Sequence, residues 1–316
     1  MSESAISFME PAVPTLSYAH LSDRSLIRVG GADAQHFLQN LVTADIDSMV
    51  EGGASACALL TPQGKILFDF LIYRQEGSYL LDVPSATAAD FLKRLTFYRL
   101  RAKVDLEMLP EDFGVIALWD DTANAGEVPD SDLEGALAEV TDPRLPALGK
   151  RIAGPVADLA PKLHATAADL AAYDRHRISM GVPEGLKDFD YSDIFPHDAD
   201  LDQLGGVSFS KGCYVGQEVV SRVHHRGTAR KRFVQIESSA ALGEKGTDIT
   251  ADGKSAGVLG SSAVTEDGAV GLALLRLDKV AQAKDNGSPL KCGDTEILVK
   301  LPDWASFSLP EPNTAD

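Results

Sequence analysis

Three turn dipeptides, Asp252-Gly253, Asp267-Gly268 and Asn286-Gly287, punctuate the last part of the chain between short runs rich in Val, Ile and Leu. Asx-Gly pairs tolerate the positive φ angles that a two-residue hairpin turn requires, so they signal tight antiparallel connections. The runs they separate cover 233–237, 257–264, 269–275 and 296–300, each too short for a packed helix. Regular short strands with such turns predict a small antiparallel barrel, set off as its own domain at 231–316. The last segment, from Pro302 on, carries three prolines and reads as a docked or frayed tail.

Residues 1–230 have a different pattern. A strand at 25–29 ends in Gly30-Gly31, and Asp33 then stands as cap for a helix with Phe37, Leu38, Leu41 and Val42 on one face. Apolar runs at 54–60 and 66–73 flank Thr61-Pro62-Gln63-Gly64, whose Pro and Gly suit a type I turn, so they form a hairpin. A strand at 79–83 follows, then a helix capped by Ser85 with Phe91, Leu92, Leu95 and Tyr98 inward. Another strand at 115–119 leads into an acidic surface loop, 120–132. Thr166 begins a further helix, with Leu170, Tyr173 and Ile178 inward and Gly181 past its end. The Asp-rich stretch 188–206 has no periodicity and reads as an ordered loop.

Composition narrows function. A formal net charge of −18 argues against nucleic acid or an anionic membrane as partner, since both would repel the chain. No run of about 18 apolar residues is present, so no membrane span is expected. The segment before Arg24 carries Glu3 and Glu10 and no Lys or Arg, unlike a targeting segment, which predicts a cytoplasmic protein. Cys57, Cys213 and Cys292 are widely spaced with no C-x-x-C pair, so neither zinc nor a paired redox site is expected. Asp198, Asp200 and Asp202 alternate as in a calcium loop, but Gln203 and Phe209 stand where that loop needs Gly and Glu.

Chemistry concentrates in KGCYVGQEVVSRVHHRGTARKRF, residues 211–233. Gly212 and Gly216 bracket Cys213 and Tyr214, which permits a tight turn presenting the thiol. Lys211 and the following Arg222, His224, His225 and Arg226 are the cationic neighbours that would favour thiolate. Set against this, a lone cysteine is more often a small buried hydrophobe. Arg222, Arg226, Arg230, Lys231 and Arg232 form a basic stretch free of acids, suited to a small polyanion or to pairing with the Asp-rich loop upstream.

The segment KGCYVGQE (211–218), continuing through Val220-Ser221-Arg222 to His224-His225-Arg226-Gly227, resembles the signature of the YgfZ family, including its iron–sulfur assembly branch. Weaker similarity runs through 37–45, Thr61-Pro62-Gln63-Gly64-Lys65 with Asp69 and Tyr73, and Arg177-Ile178 before Gly181 and Pro183. The resemblance implies an α+β fold: an aminomethyltransferase-like cloverleaf ring of mixed α/β domains, two of them interleaved in 1–230, with a C-terminal antiparallel β-barrel. It also implies a bound tetrahydrofolate, and iron–sulfur assembly proteins or client enzymes as partners. In Pro196-His197-Asp198, Asp198 matches the carboxylate that reads the pterin, and Asp69 matches the position of a transferase acid. Tyr214, Gln217, Arg222 and Arg226 complete the implied cofactor set, with Cys213 as the functional thiol. The transferases have an F-I-G-R-like segment where this chain has Cys213-Tyr214-Val215-Gly216-Gln217, which points away from methylene transfer. The expected function is therefore a tetrahydrofolate-dependent accessory factor for iron–sulfur cluster assembly or repair. The enzyme alternative is a folate-dependent aminomethyltransferase or demethylase.

Overall fold

The computed structural model describes residues 16–121, 128–129, 131, 133–226 and 229–310. Strands β1 (Leu16–His20) and β2 (Arg24–Gly30) are joined by a short turn yet enter different sheets. After β2 comes α1 (Ala34–Leu41), whose Phe37, Leu38 and Leu41 are buried at helical spacing. Asp33 precedes it, but its carboxylate accepts the Lys103 N–H at 2.7 Å instead of capping the helix. The expected hairpin is β3 (Ala54–Leu60) and β4 (Ile66–Gln75), followed by β5 (Ser78–Pro84). Helix α2 (Ser85–Arg99) then begins at Ser85 itself, with Pro84 in the capping position. β6 (Asp105–Met108) lies beside β2 and completes an antiparallel sheet of order β3-β4-β5-β2-β6.

β7 (Phe113–Asp120) returns to pair with β1, and β8 (Ala138–Thr141) and β9 (Lys150–Pro155) extend that second sheet. Most of the expected acidic loop after β7 lies outside the described residues. A short helix, α3 (Val156–Leu159), leads to β10 (Thr166–Ala167). Here the sequence expectation fails: Thr166 pairs in parallel with Ser17 on the open edge of β1. Helix α4 (Leu170–Ser179) starts later, capped by Asp169, whose carboxylate accepts the Ala172 N–H at 2.8 Å. Tyr173 and Ile178 are buried as expected, and Gly181 follows at φ +77°. The chain then runs as a long loop of turns to α5 (Gln217–Arg226).

The C-terminal strands are β11 (Lys231–Ser238), β12 (Asp248–Ala251), β13 (Lys254–Thr265) and β14 (Gly268–Arg276). Helix α6 (Leu277–Asn286) intervenes before β15 (Leu290–Cys292) and β16 (Thr295–Lys300). The barrel closes in the order β11-β14-β13-β12-β15-β16, with antiparallel β11–β16 pairing sealing it. Asp252-Gly253 and Asp267-Gly268 are hairpin turns, but Asn286-Gly287 ends α6, with Gly287 left-handed at φ 65°. An Asn-Gly pair serves either role because both need positive φ. The tail is docked as far as it is described: Trp304 Nε1–H donates to the Met180 carbonyl at 2.8 Å, and Phe307 packs on the barrel core.

One buried cluster joins the first sheet, the long loop and the barrel. Ala58, Leu60 and Ile66 of the first sheet meet Phe189, Ile194 and Tyr214 of the loop and Phe233 and Leu272 of the barrel. Each large apolar side chain buried there contributes about 1.5–3 kcal/mol, so the loop is held by both bodies.

Candidate functional site

Residues 211–216 join the long loop to α5, and their side chains part in opposite directions. Cys213 is exposed, whereas Cys57 in β3 and Cys292 in β15 are buried. Tyr214 is only 7% exposed and sits in the cluster with Ile66 and Ile194. Lys211, also buried, sends Nζ to the carbonyls of Val42 at 2.8 Å and Ala44 at 2.6 Å. Those carbonyls lie just past α1, on the segment that leads back to β3. Burial lowers the Lys211 pKa from its usual value. The ammonium expected beside the thiol is thus directed into the protein. This corrects the sequence reading.

The two flanking glycines also differ. Gly216 has φ +80°, and a Cβ there would fall 2.5 Å from the Thr61 carbonyl oxygen. On the facing turn Gly64 has φ +81°, and its Cβ would fall 2.9 Å from Cβ of Val219. The start of α5 is therefore docked, backbone to backbone, on the β3–β4 hairpin. That close approach is the physical reason these two segments need their glycines. Gly212 has neither constraint: its φ is not positive, and a Cβ would meet no atom within 4 Å.

A seam beside β4 carries the acidic candidates. The Ile66 N–H donates to the Ile194 carbonyl at 2.9 Å and the Ser192 N–H to that of Ile66 at 2.7 Å. Farther along β4, Asp69 accepts the Tyr191 hydroxyl at 2.7 Å through Oδ1 and the Gly185 N–H at 3.1 Å through Oδ2. A Cβ at Gly185 would fall 2.0 Å from that Oδ1, so only glycine allows the approach. Burial pushes the Asp69 carboxyl above its ordinary value, against the Tyr191 hydrogen bond. Asp198, half-buried, accepts the Phe195 N–H at 3.0 Å through Oδ2, and burial raises its carboxyl too. A carboxylate has about four lone-pair sites, so one bond leaves Asp198 able to accept a pterin's N–H donors. The residue set fits a folate in that respect. Gln217, half-buried, opens α5 with its N–H donating to the Tyr214 carbonyl at 3.3 Å.

The basic stretch is not one patch. Arg222 is exposed and pairs with Glu218 at 2.8 Å along α5. Arg226 ends α5, and its side chain lies outside the described residues. Arg232 is buried and bonds Asp202 at 2.5 Å and 2.9 Å and Asp200 at 3.2 Å. For Arg232 the pairing with the Asp-rich loop is what the fold uses. Among the described residues no cluster suited to a metal ion is found.

Sequence reasoning missed a buried ionic hub. Arg24 of β2 bonds Asp82 of β5 at 2.6 Å, and Tyr73 of β4 donates to the same carboxylate at 2.7 Å. Arg151 of β9 bonds Asp142 at 3.1 Å and the Tyr173 hydroxyl of α4 at 2.8 Å. Arg177 of α4 pairs with Asp188 at 2.7 Å, and Asp188 accepts the Ser261 N–H of the barrel at 2.9 Å. Both sheets, the loop and the barrel thus share one network. The available signal was a charged residue inside an apolar strand, as Asp82 is in Leu80-Leu81-Asp82-Val83.

Comparison with known proteins agrees with this architecture. Residues 230–307 match the CAF17 C-terminal beta-barrel domain. The mitochondrial iron–sulfur cluster assembly factor IBA57 of Homo sapiens is 33% identical, the alignment covering 90% of this chain and 84% of that protein. Its Mus musculus counterpart is 31% identical over the same shares, 90% and 84%. A homologue from Coccidioides immitis is 30% identical, covering 90% of this chain and 77% of its own length. Among solved structures, glycine cleavage system aminomethyltransferase T from Bartonella henselae superposes with a TM-score of 0.71. It covers 92% of this chain and 86% of its own at 20% identity, which establishes the fold alone. The aminomethyltransferase-like fold with its closed barrel is as expected. The cytoplasmic location is not: the relatives aligned over most of the chain are named mitochondrial proteins. That reading had rested on the charge of a short segment, which does not carry a compartment. No helix among the described residues is long and apolar enough to cross a membrane.

Proposed function

We propose, for a chain that belongs to the family of the iron–sulfur cluster assembly factor IBA57, that it serves iron–sulfur cluster assembly through the thiol of Cys213. The observation that carries this reading is the contrast within one short segment, residues 211–216. Cys213 faces solvent while Lys211, Tyr214 and Gly216 on either side of it are fastened into two different bodies of the protein. Such a loop presents one nucleophilic sulfur in a fixed place. A four-iron cluster usually takes about four cysteine ligands, so a cluster handled here is cargo shared with a partner. The partners are iron–sulfur assembly proteins or client enzymes.

The finer reading, a tetrahydrofolate-dependent factor of the YgfZ type, gives Asp198 the pterin contact. The folate would bring a reduced pterin with adjacent N–H donors. Asp198 would accept them, Tyr214 and Gln217 would border the ligand, and Arg222 and Arg226 would meet its glutamate carboxylates. Asp69 would hold the loop at Tyr191 and Gly185 in place. Each oxygen of Asp69 already accepts one hydrogen bond there, which suits this holding role.

The test is complementation of a strain lacking the endogenous factor, at matched protein abundance. Cys213→Ala should fold and fail to restore cluster-dependent enzymes. Full rescue would remove the thiol from the function. For the folate, calorimetry should show Asp198→Ala weakening tetrahydrofolate by about 1.5–3 kcal/mol, the value of a hydrogen bond to a charged group. Unchanged affinity would take Asp198 out of the pterin site.

A further inference from the structure

A cavity of about 670 Å³ opens where α5, the barrel and the docked tail meet. None of the residues assigned above to the cluster or to folate lines it. Its floor is His197, only 2% exposed, and neither ring nitrogen has a hydrogen-bond partner among the described residues. Beside it Arg232, 6% exposed, gives its terminal nitrogens to Asp200, Asp202 and the His197 carbonyl, leaving Nε–H without a partner. An imidazole and a guanidinium N–H left dry and unpaired are costly unless something in the cavity completes them.

Charge decides what that something is. Arg230 lines the cavity and is exposed, with no side-chain partner among the described residues. The two lining carboxylates are both committed: Asp202 to Arg232, and Asp278 to Arg276 at 2.6 Å. Beneath Arg232, fully buried Asp200 is pushed well above the usual carboxylate range, by burial first and against the attraction of Arg232. What remains unspent is donors and positive charge. The walls are aromatic, with Phe307 against the Arg232 guanidinium and His224 stacked on Phe209 at 3.6 Å. The volume falls within the range of about 300–1,000 Å³ typical of small-molecule sites, well above a bare ion.

We propose that this cavity is a second ligand site, taking a small molecule through an oxyanion, carboxylate or phosphate, held by His197, Arg230 and the Nε–H of Arg232. The site belongs to the loop–barrel junction. Its occupancy does not depend on folate binding.

The experiment is a titration of the full chain with inorganic phosphate and, separately, with glutarate at constant ionic strength, followed by the imidazole ¹⁵N resonances of His197 and by calorimetry. At least one probe should shift the His197 ring resonances to saturation, and the probe that does so at lower concentration names the preferred oxyanion. Arg230→Gln, on an exposed side chain that folding does not need, should weaken that binding about tenfold, as loss of a charged hydrogen bond does. Lys254→Gln, on the exposed turn side of the barrel, should leave it unchanged. Absence of saturable shifts with either probe would overturn the proposal. So would equal binding by Arg230→Gln, or an equal loss in both variants, which would reveal only diffuse charge attraction.

Discussion

Replacing Gly216 by Ala tests whether the thiol loop is held by its contact with the β3–β4 hairpin. The left-handed φ of +80° costs an L-residue about 1–2 kcal/mol. The new methyl would also lie 2.5 Å from the Thr61 carbonyl oxygen and 3.0 Å from Cα of Gly64, both backbone atoms that cannot swing aside. Relieving such overpacking costs a further 1–3 kcal/mol or so. A total of roughly 2–5 kcal/mol lowers the melting temperature of a domain this size by on the order of 10 °C. Gly212→Ala is the matched control, with no positive φ and open space for the methyl, and should melt within about a degree of the parent. Calorimetric or circular-dichroism melts of the three proteins decide the matter. Equal melting for both variants would mean that α5 is not docked on the hairpin through Gly64 and Gly216.

Three thiols of different burial give a second check. Iodoacetamide with mass-spectrometric readout should modify exposed Cys213 first, because Cys57 is fully buried with its thiol pushed up to about 11, and burial raises Cys292 too. Labelling of Cys57 ahead of Cys213 in the native protein would contradict the loop geometry. The hub supplies a pH signature: burial alone would raise the Asp142 carboxyl, but Arg144 and Arg151 outweigh it and lower it to about 2. Since the unfolded value is about 3.9, the stability this carboxylate contributes is complete above about pH 4 and is lost as pH falls toward 2. Denaturant midpoints at successive pH values should show that loss in the parent and not in Asp142→Asn; parallel acid limbs would refute it. Removing one partner of the buried Arg177–Asp188 pair, as in Asp188→Ala, should cost about 3–5 kcal/mol by leaving a buried guanidinium short of its carboxylate, and a chemical melt unchanged from the parent would exclude that role.

Local rules carried the reading of this chain as far as local forces decide the structure. The hairpin at Thr61-Pro62-Gln63-Gly64 and the barrel strands were legible because turn chemistry and alternation act within a few residues. Thr166 was misread because the open edge of β1, some 150 residues away in sequence, offers its backbone a strand partner that outweighs a weak cap. Helix α6 was hidden behind an Asn-Gly pair whose φ preference serves a helix end as well as a hairpin. The site divided the same way. That the thiol of Cys213 is exposed followed from its turn, but the direction of Lys211 depended on two carbonyls about 170 residues upstream. No spacing rule reports such a contact. The ionic hub was equally out of reach, since its charges find partners on other strands, as Arg24 and Asp82 do, or in another body, as Asp188 and Ser261 do.

In the proposed role, the hub and the thiol loop together would make one exposed cysteine a specific group. A thiol on a free loop must be immobilised when a partner binds, and that ordering subtracts from affinity. Here the ordering is done during folding. Lys211 reaches the first sheet's helix, Tyr214 fills the cluster between sheet and barrel, and Gly216 sits against the hairpin. Arg177, Asp188 and Ser261 meanwhile fix the loop against the barrel it must bridge. Buried ion pairs add little net stability compared with apolar packing, but they tolerate few alternative arrangements. In the proposed role this matters more than stability. A shared cluster demands sulfur positions set to within a fraction of an ångström, and a partner that supplies the remaining ligands can do so only if this one does not move. Loosening the loop at Gly216 should therefore weaken partner engagement even though the thiol is still present, whereas Cys213→Ala removes the sulfur and leaves its setting intact.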